Sequence, residues 1–366
     1  MNKSKRIGIL TLTPSSNYGG ILQTVALYNY LERQGYDVIL INKKFFIRSK
    51  IKKVILSLLK NIPGQNIKNF RYNYLKEKSL LSSINKYIPN RTKKIYNVNS
   101  FRDLIQEYKY HAVIVGSDQV WRYKYINDGS YNCYFLDFIK SQETKKISYA
   151  ASFGIDYWEN KKNVGEVSAM LKDFDHISVR ENSGVKICSE DFGVNAEHVL
   201  DPTILLTPED YNEILNIKED GEENILCSYI LDSDVRKSKF IEGLAKKNSL
   251  EIKALGSKSS NNKFYTVKDW VSSIKNSKFV VTDSFHGMVF SIIFNRQFIV
   301  IGNKNRGLAR FQSLLSKFGL SERILELENL DMGLDIANSV IDYQQVNLIV
   351  EHERLVSMSF LKNSIK

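Results

Sequence analysis

Residues 6–42 read RIGILTLTPSSNYGGILQTVALYNYLERQGYDVILIN. Arg6 to Thr13 is a short apolar run of the length of a buried strand. Gly20 to Gln34 then places Leu22, Val25, Ala26, Tyr30 and Leu31 on roughly one helical face, and Tyr36 to Asn42 is a second apolar run. Strand, helix and strand joined by short turns form the unit of a parallel sheet. The first turn, Ser15-Ser16-Asn17-Tyr18-Gly19-Gly20 followed by Gln23, is rich in glycine but lacks the G-x-G-x-x-G spacing. A nicotinamide or flavin reading therefore loses its usual support. The glycines still let backbone N–H groups approach a ligand, and a helix N-terminus favours an anion. An Asn-capped tight turn without a ligand is the plain alternative.

The alternation continues outward. His111 to Val115, Lys146 to Ala151, His176 to Val179 and Glu197 to Leu200 read as strands. The segment 206–224, LTPEDYNEILNIKEDGEEN, turns acidic and polar and reads as a domain junction with a short helix. Beyond it come strands over Asn224 to Leu231, Glu251 to Leu255, Phe279 to Thr282 and Gln297 to Ile301. Helices are expected over Val235 to Lys247, Val267 to Asn276 and His286 to Phe294. Leu334 to Leu361 reads as one long helix or two. The expected fold is α/β, with two Rossmann-like domains, 1–205 and 206–366, facing across a cleft. In such sheets ligands bind outside the carboxyl ends of the strands.

The chain has 366 residues with ordinary globular composition, and its three cysteines are too few and scattered for a disulfide framework. The N-terminal apolar run is too short for a signal-peptide core, and no 18-residue apolar run occurs, so the chain reads as cytoplasmic. The formal net charge is +12, and its distribution is uneven. Residues 43–94 hold fifteen Lys/Arg and a single acid, Glu77. Within them Ile47, Ile51, Val54, Ile55, Leu58, Leu59 and Ile62 recur at helical spacing, ending at Pro63-Gly64. This basic amphipathic helix fits two settings: packed on the core with its lysines in water, or held at an anionic membrane surface or a lipid-linked acceptor. Aromatics are interleaved nearby (Phe70, Tyr72, Tyr74, Tyr87), but no nucleic-acid module accompanies them, so nucleic acid is not the expected partner.

Four further turns carry polar groups after apolar strands. Gly116-Ser117-Asp118-Gln119-Val120-Trp121 follows HAVIV. Ser117 and Asp118 suit either N-capping or hydrogen bonds to sugar hydroxyls, with Trp121 as an apolar platform. In Ser178-Val179-Arg180-Glu181, Arg180 suits a phosphate or carboxylate, or a salt bridge to Glu181 or Asp201. In Thr282-Asp283-Ser284-Phe285-His286-Gly287, His286 opens a helix at a strand end with Asp283 as a candidate partner, a placement suited to acid–base work. His111, His176, His198 and His352 lack it and read as structural. Lys304, Arg306 and Arg310, in the turn after the next strand, suggest an anion clamp or a solvated loop. There is no H-E-x-x-H, C-x-x-C, G-x-S-x-G or P-loop, so no metal, hydrolase-elbow or kinase site is expected.

Six strings taken in order, GILTLTPSSNYGGILQTVALYNYLERQGYDVILIN, AVIVGSDQVW, ISYAASFG, ISVRE, HVLDPTILL and VVTDSFHGMVFSIIFNRQFI, resemble the polysaccharide pyruvyl transferase family over nearly the whole chain. The poorest match is Phe45 to Tyr96. The resemblance implies a fold similar to GT-B glycosyltransferases. It implies transfer of pyruvate from phosphoenolpyruvate onto two hydroxyls of one sugar, giving a cyclic ketal and phosphate, with no cofactor beyond that co-substrate. In the family the donor site uses an arginine matching Arg180 and an Arg-x-His run whose His matches His286. Here the Arg position is Ser284, with Phe285 between. The missing cation is expected from Lys304, Arg306 or Arg310. Asn17, Tyr18, Gly19 and Gln23, with Ser117, Asp118 and Trp121, are expected to hold the acceptor, a bacterial surface glycan or its lipid-linked precursor. The alternatives are a GT-B-type glycosyltransferase using a nucleotide sugar, for which no ribose-binding acid stands out, and a glycan binder without turnover.

Overall fold

In the computed structural model the described residues are 4–12, 17–44, 65–127, 131–140, 142–218, 221–256, 264–302 and 307–366. The chain forms two compact units, Met1–Leu205 with Val356–Lys366, and Leu206–Leu355.

The first unit holds strands β1 (Arg6–Leu10), β2 (Asp37–Leu40), β3 (Ala112–Val115), β4 (Lys145–Ala151), β5 (His176–Val179) and β6 (Glu197–His198). They pair in parallel in the order β2-β1-β3-β4-β5-β6. β1 and β3 are apolar on both faces and lie inside the sheet, as two-sided burial requires. The order reverses between β1 and β3. That is the switch point at which loops diverge and leave room for a ligand. The helix Tyr18–Arg33 starts there, capped by Asn17, whose side chain accepts from Gly19 N.

The basic segment leaves the sheet beyond β2 and returns to the same edge. Leu40 N donates to Asn90 O, Thr92 N to Leu40 O and Ile95 N to Asn42 O. The amphipathic helix expected over Ile47 to Ile62 lies outside the described residues. A different helix, Gln65–Tyr87, packs on the helix Tyr18–Arg33.

The second unit holds β7 (Glu223–Tyr229), β8 (Glu251–Ala254), β9 (Ser277–Thr282), β10 (Gln297–Ile301) and β11 (Ile324–Leu325), parallel in the order β11-β10-β9-β7-β8. Its switch point lies between β7 and β9. The helix Phe285–Ile293 follows β9 and is buried throughout.

One boundary differs from the sequence reading, which put residues 206–366 in one domain. The terminal helix is Tyr343–Ile365, and from Val356 onward it belongs to the first unit. The cause is its apolar end. Phe360, Leu361 and Ile365 are buried, Ser357 Oγ accepts from Leu200 N, and Phe360 packs on Tyr149. The segment read as one helix or two is this helix preceded by a single turn, Gly333–Ile336. No described helix is long and apolar enough to cross a membrane.

Candidate functional site

Each switch point gathers the polar turns, and each is built by its own unit. In the first unit, Gln23 staples the two turns together. Its Oε1 accepts from Ser117 N at 3.1 Å, and its Nε2 donates to Thr11 Oγ1 and Gly20 O at 3.0 Å each. Ser117 Oγ donates to Ala150 O and meets Asp201 Oδ2, both at 3.1 Å. Asp118 Oδ1 accepts from Gln119 N at 2.8 Å. Oδ2 of Asp118 faces the first turn of the helix Tyr18–Arg33: a Cβ at Gly20 would stand 3.4 Å from it and 3.8 Å from Asn17 Nδ2. The fold thus brings Asn17, Gly19, Gly20, Gln23, Ser117 and Asp118 to one place.

It does not present the two aromatics expected beside them. Trp121 is fully buried, its Nε1 donating to Tyr134 O and its ring stacked on Phe135 and packed on Phe153. It is core, and offers no face to a sugar. Tyr18 is also buried, with the Lys76 ammonium 5.4 Å from its ring centroid.

Arg180 directly follows β5. Its guanidinium donates to Asp201 Oδ2 at 2.6 Å and to Ser117 Oγ at 3.5 Å, and lies 4.0 Å from Asp118 Oδ1. Burial works against the guanidinium charge, but Asp201, Asp118 and Glu181 outweigh it and push its pKa up. Asp201 is held from its other side, Oδ1 accepting from Thr203 N and Oγ1. Glu181 Oε1 accepts from Phe153 N, Gly154 N and Ser152 Oγ. Of the two partners open for Arg180 in the sequence, Asp201 is the one hydrogen-bonded to it.

In the second unit, Ser284 is the N-cap of the helix Phe285–Ile293, its side chain accepting from Gly287 N. Phe285 and His286 form the first turn, their rings edge to face at 5.3 Å. Both are buried, and His286 retains 4% exposure. Asp283, read as a partner for the imidazole, has both oxygens taken by the β7 loop. Oδ1 accepts from Leu231 N at 2.6 Å, and Oδ2 accepts from Asp232 N and from Lys237 Nζ at 2.7 Å. This buried Lys237–Asp283 pair ties the two loops of the switch point together, and local sequence gave no signal for it. Arg310, in the first turn of the helix Ala309–Lys317, places its guanidinium 5.4 Å from the Phe285 ring centroid. Lys304 and Arg306 lie outside the described residues.

The remaining histidines are structural where contacts define them: His111 bonds Ile365 O and His198 bonds Arg180 O. Among the described residues no cluster of His, Cys, Asp or Glu could hold a metal ion. Burial pushes the thiols of Cys188 and Cys227 up to about 12, which leaves them poor nucleophiles.

Two open parallel α/β sheets with polar turns at their switch points define a GT-B-like class. The chain is similar in fold to a glycosyltransferase from Rickettsia africae, with TM-score 0.51 and 13% identity over 98% of this chain and 94% of that one. It is likewise similar to the S. aureus MnaA–UDP co-structure, with TM-score 0.52 and 12% identity over 95% and 91% of the two chains. The sequence profile of the polysaccharide pyruvyl transferases matches residues 17–305, well over half of the chain, and the protein belongs to that family. No curated protein matches it.

Proposed function

We propose that the protein transfers the pyruvyl group of phosphoenolpyruvate onto two hydroxyls of one sugar of a bacterial surface polysaccharide or its lipid-linked precursor, in the cytoplasm, forming a cyclic ketal. The observation that supports this reading is the second switch point, where Arg310 lies over Phe285 next to His286. Phosphoenolpyruvate carries a carboxylate and a phosphate, and a guanidinium matches either by charge-assisted hydrogen bonds. Ser284 occupies the expected arginine position, and Arg310 restores a cation within reach of the same turn. The chemistry needs one proton on the methylene carbon, which makes C2 electrophilic. Two hydroxyl oxygens then bond to C2, phosphate leaves, and their two protons balance those gained by the methyl group and the phosphate. His286 is the acid–base group of this turn, and such a group contributes about 10²–10⁴-fold. No metal or further cofactor is invoked.

A thermal-shift titration tests the reading, with phosphoenolpyruvate set against UDP and GDP. At 100 times its Kd the donor adds about 2.7 kcal/mol, or a few degrees for units of this size. Stabilisation by phosphoenolpyruvate alone, lost when Arg306 and Arg310 are both changed to Ala, is the expected result. Stabilisation by a nucleotide alone means a nucleotide-sugar donor. A double variant that keeps its donor affinity removes Arg310 from the site.

A further inference from the structure

Residues 91–95 extend the first sheet outward past β2. Lys44 N donates to Ile95 O at 2.9 Å and Asn42 N to Thr92 Oγ1 at 3.0 Å, while Leu40 pairs in parallel with Arg91 and Lys43 with Ile95. This pairing sets Lys43 and Lys44, just beyond the carboxyl end of β2, beside Arg91, Lys93 and Lys94. Lys43 is buried, its ammonium 4.8 Å from the Tyr134 ring centroid. Lys44 and Arg91 are half-buried and Lys94 is exposed. Burial, and then Lys94, push the pKa of the Lys44 ammonium down, and Arg91 adds to the push. Among the described residues the one acid acting on Lys44 is Glu77, and Arg91 Nε is buried without a hydrogen-bond partner. Backbone pairing thus holds like charges together, and a multiply charged anion relieves them at once.

The other cations on this side of the unit are placed differently. Arg122 is balanced, with Nη1 donating to Gln119 Oε1 at 2.9 Å and Nε lying 3.9 Å from Glu159 Oε1. Arg180 is hydrogen-bonded to Asp201. Lys76 lies over the Tyr18 ring, and burial lowers its pKa. The next residue along its helix is Glu77, which acts on Lys44. Positive charge therefore continues from the turn after β1 to the edge of the sheet. The edge segment lies two strand spacings from β1, about 10 Å. An anion held at the edge and a sugar at the turn of Asn17, Gly20 and Asp118 can belong to one molecule.

We infer that Lys44, Arg91 and Lys94 bind the diphosphate of a lipid-linked acceptor, whose sugar lies at the turn after β1. The inference rests on the pyruvyl-transfer reading above, of which it specifies the acceptor. A diphosphate ester concentrates its charge in one compact group and suits three clustered cations. The guanidinium takes two oxygens by paired hydrogen bonds, and each ammonium acts as a point charge. An acidic glycan spreads its carboxylates from ring to ring and suits the cluster less well. In sequence, Lys44 leads directly into the apolar and basic stretch that fits a membrane surface, which favours a lipid carrier over a nucleotide.

The test uses full-length wild type, Lys94→Gln and the triple variant Lys44→Gln, Arg91→Gln, Lys94→Gln, with Lys172→Gln as a control for charge lost elsewhere. Isothermal titration calorimetry with farnesyl diphosphate at fixed salt reads the site without donor or turnover. Wild type is expected to bind farnesyl diphosphate more tightly than inorganic diphosphate or UDP. The triple variant is expected to lose about tenfold or more in affinity, as removal of charge-assisted hydrogen bonds implies. Lys94→Gln, at an exposed position, is expected to lose about threefold. Lys172→Gln stays within about twofold of wild type. Phosphoenolpyruvate still stabilises every variant, since the cluster is not the donor site. Circular dichroism identifies a triple variant that fails to fold, and Lys94→Gln then decides. The inference is overturned if the folded variants bind farnesyl diphosphate as wild type does, or if inorganic diphosphate or UDP binds wild type equally well. It is also overturned if farnesyl diphosphate does not bind and the triple variant instead stops sedimenting with phosphatidylglycerol vesicles, which assigns the cluster to bilayer headgroups. If farnesyl diphosphate binds but phosphoenolpyruvate fails to stabilise wild type, the pyruvyl-transfer reading falls and the diphosphate site alone stands.

Discussion

At the residue scale, Gly287 shows why the second switch point has its shape. The helix Phe285–Ile293 crosses the end of β9 so closely that a Cβ on Gly287 would collide with Thr282 Oγ1. That hydroxyl is committed, donating to Tyr229 O at 2.7 Å and accepting from Ser284 N at 3.0 Å. Neither side can yield, and the glycine keeps His286 in the first turn of the helix. Gly287→Ala is expected to cost about 1–3 kcal/mol, read as a lower urea midpoint. In a Thr282→Ala background the same change should cost markedly less, because the two sites share one contact. Equal costs in both backgrounds would mean that the glycine serves something else. Ser284 belongs to the same account. As the N-cap it satisfies Gly287 N, work that an arginine at this position could not do. The departure from the family pattern therefore gains a cap here, and in the proposed reading Arg310 on a neighbouring helix supplies the cation.

At the element scale, the terminal helix is the clearest case of packing overruling chain order. Its last turns are amphipathic in the ordinary way, yet the apolar face is buried on a unit whose strands end more than a hundred residues earlier. Besides Phe360, Leu361 and Ile365, polar contacts tie it down, with His111 bonding Ile365 O and Lys5 Nζ donating to Lys366 O. Each buried apolar side chain is worth about 1.5–3 kcal/mol. Deleting residues 356–366 is expected to destabilise the first unit by roughly 5 kcal/mol. Chemical denaturation followed through the near-ultraviolet signal reads this out, since Tyr149 and the Trp121 cluster lie in that unit. A truncated chain with an unchanged midpoint would show the contacts to be idle.

At the scale of the whole molecule, the charge is segregated. The excess over 43–94 is larger than the net charge of the chain, so the remainder is close to neutral. Near an anionic bilayer each basic residue contributes about 1 kcal/mol, and the attraction fades as salt shortens the Debye length. If this stretch holds the enzyme beside a lipid-linked acceptor, the protein should sediment with phosphatidylglycerol vesicles and not with phosphatidylcholine vesicles. Raised salt should release it, and replacing the lysines of 50–60 by Gln should abolish binding. Equal partition onto both vesicle types would remove membrane contact from the reading.

Local sequence determined the strand–helix alternation, the turns and the caps, because each depends on residues a few positions apart. β1, the helix after it and the helix at His286 were legible as periodic apolar runs between polar turns. The family resemblance was legible for the same reason, since its motifs lie at those turns. The tertiary structure decided what each turn's side chains face. Trp121 stands in a polar turn, yet its ring enters a core built from Phe135 and Phe153. Arg180 could have met either acid offered by the sequence, and it is Asp201, 21 positions on, that hydrogen-bonds it. Asp283 looks like a partner for its neighbour His286, but Lys237 and the β7 loop take its oxygens. Burial and pairing of this kind arise between segments far apart in the chain. No local pattern encodes them, because the partners meet only once the sheet has brought its strand ends together.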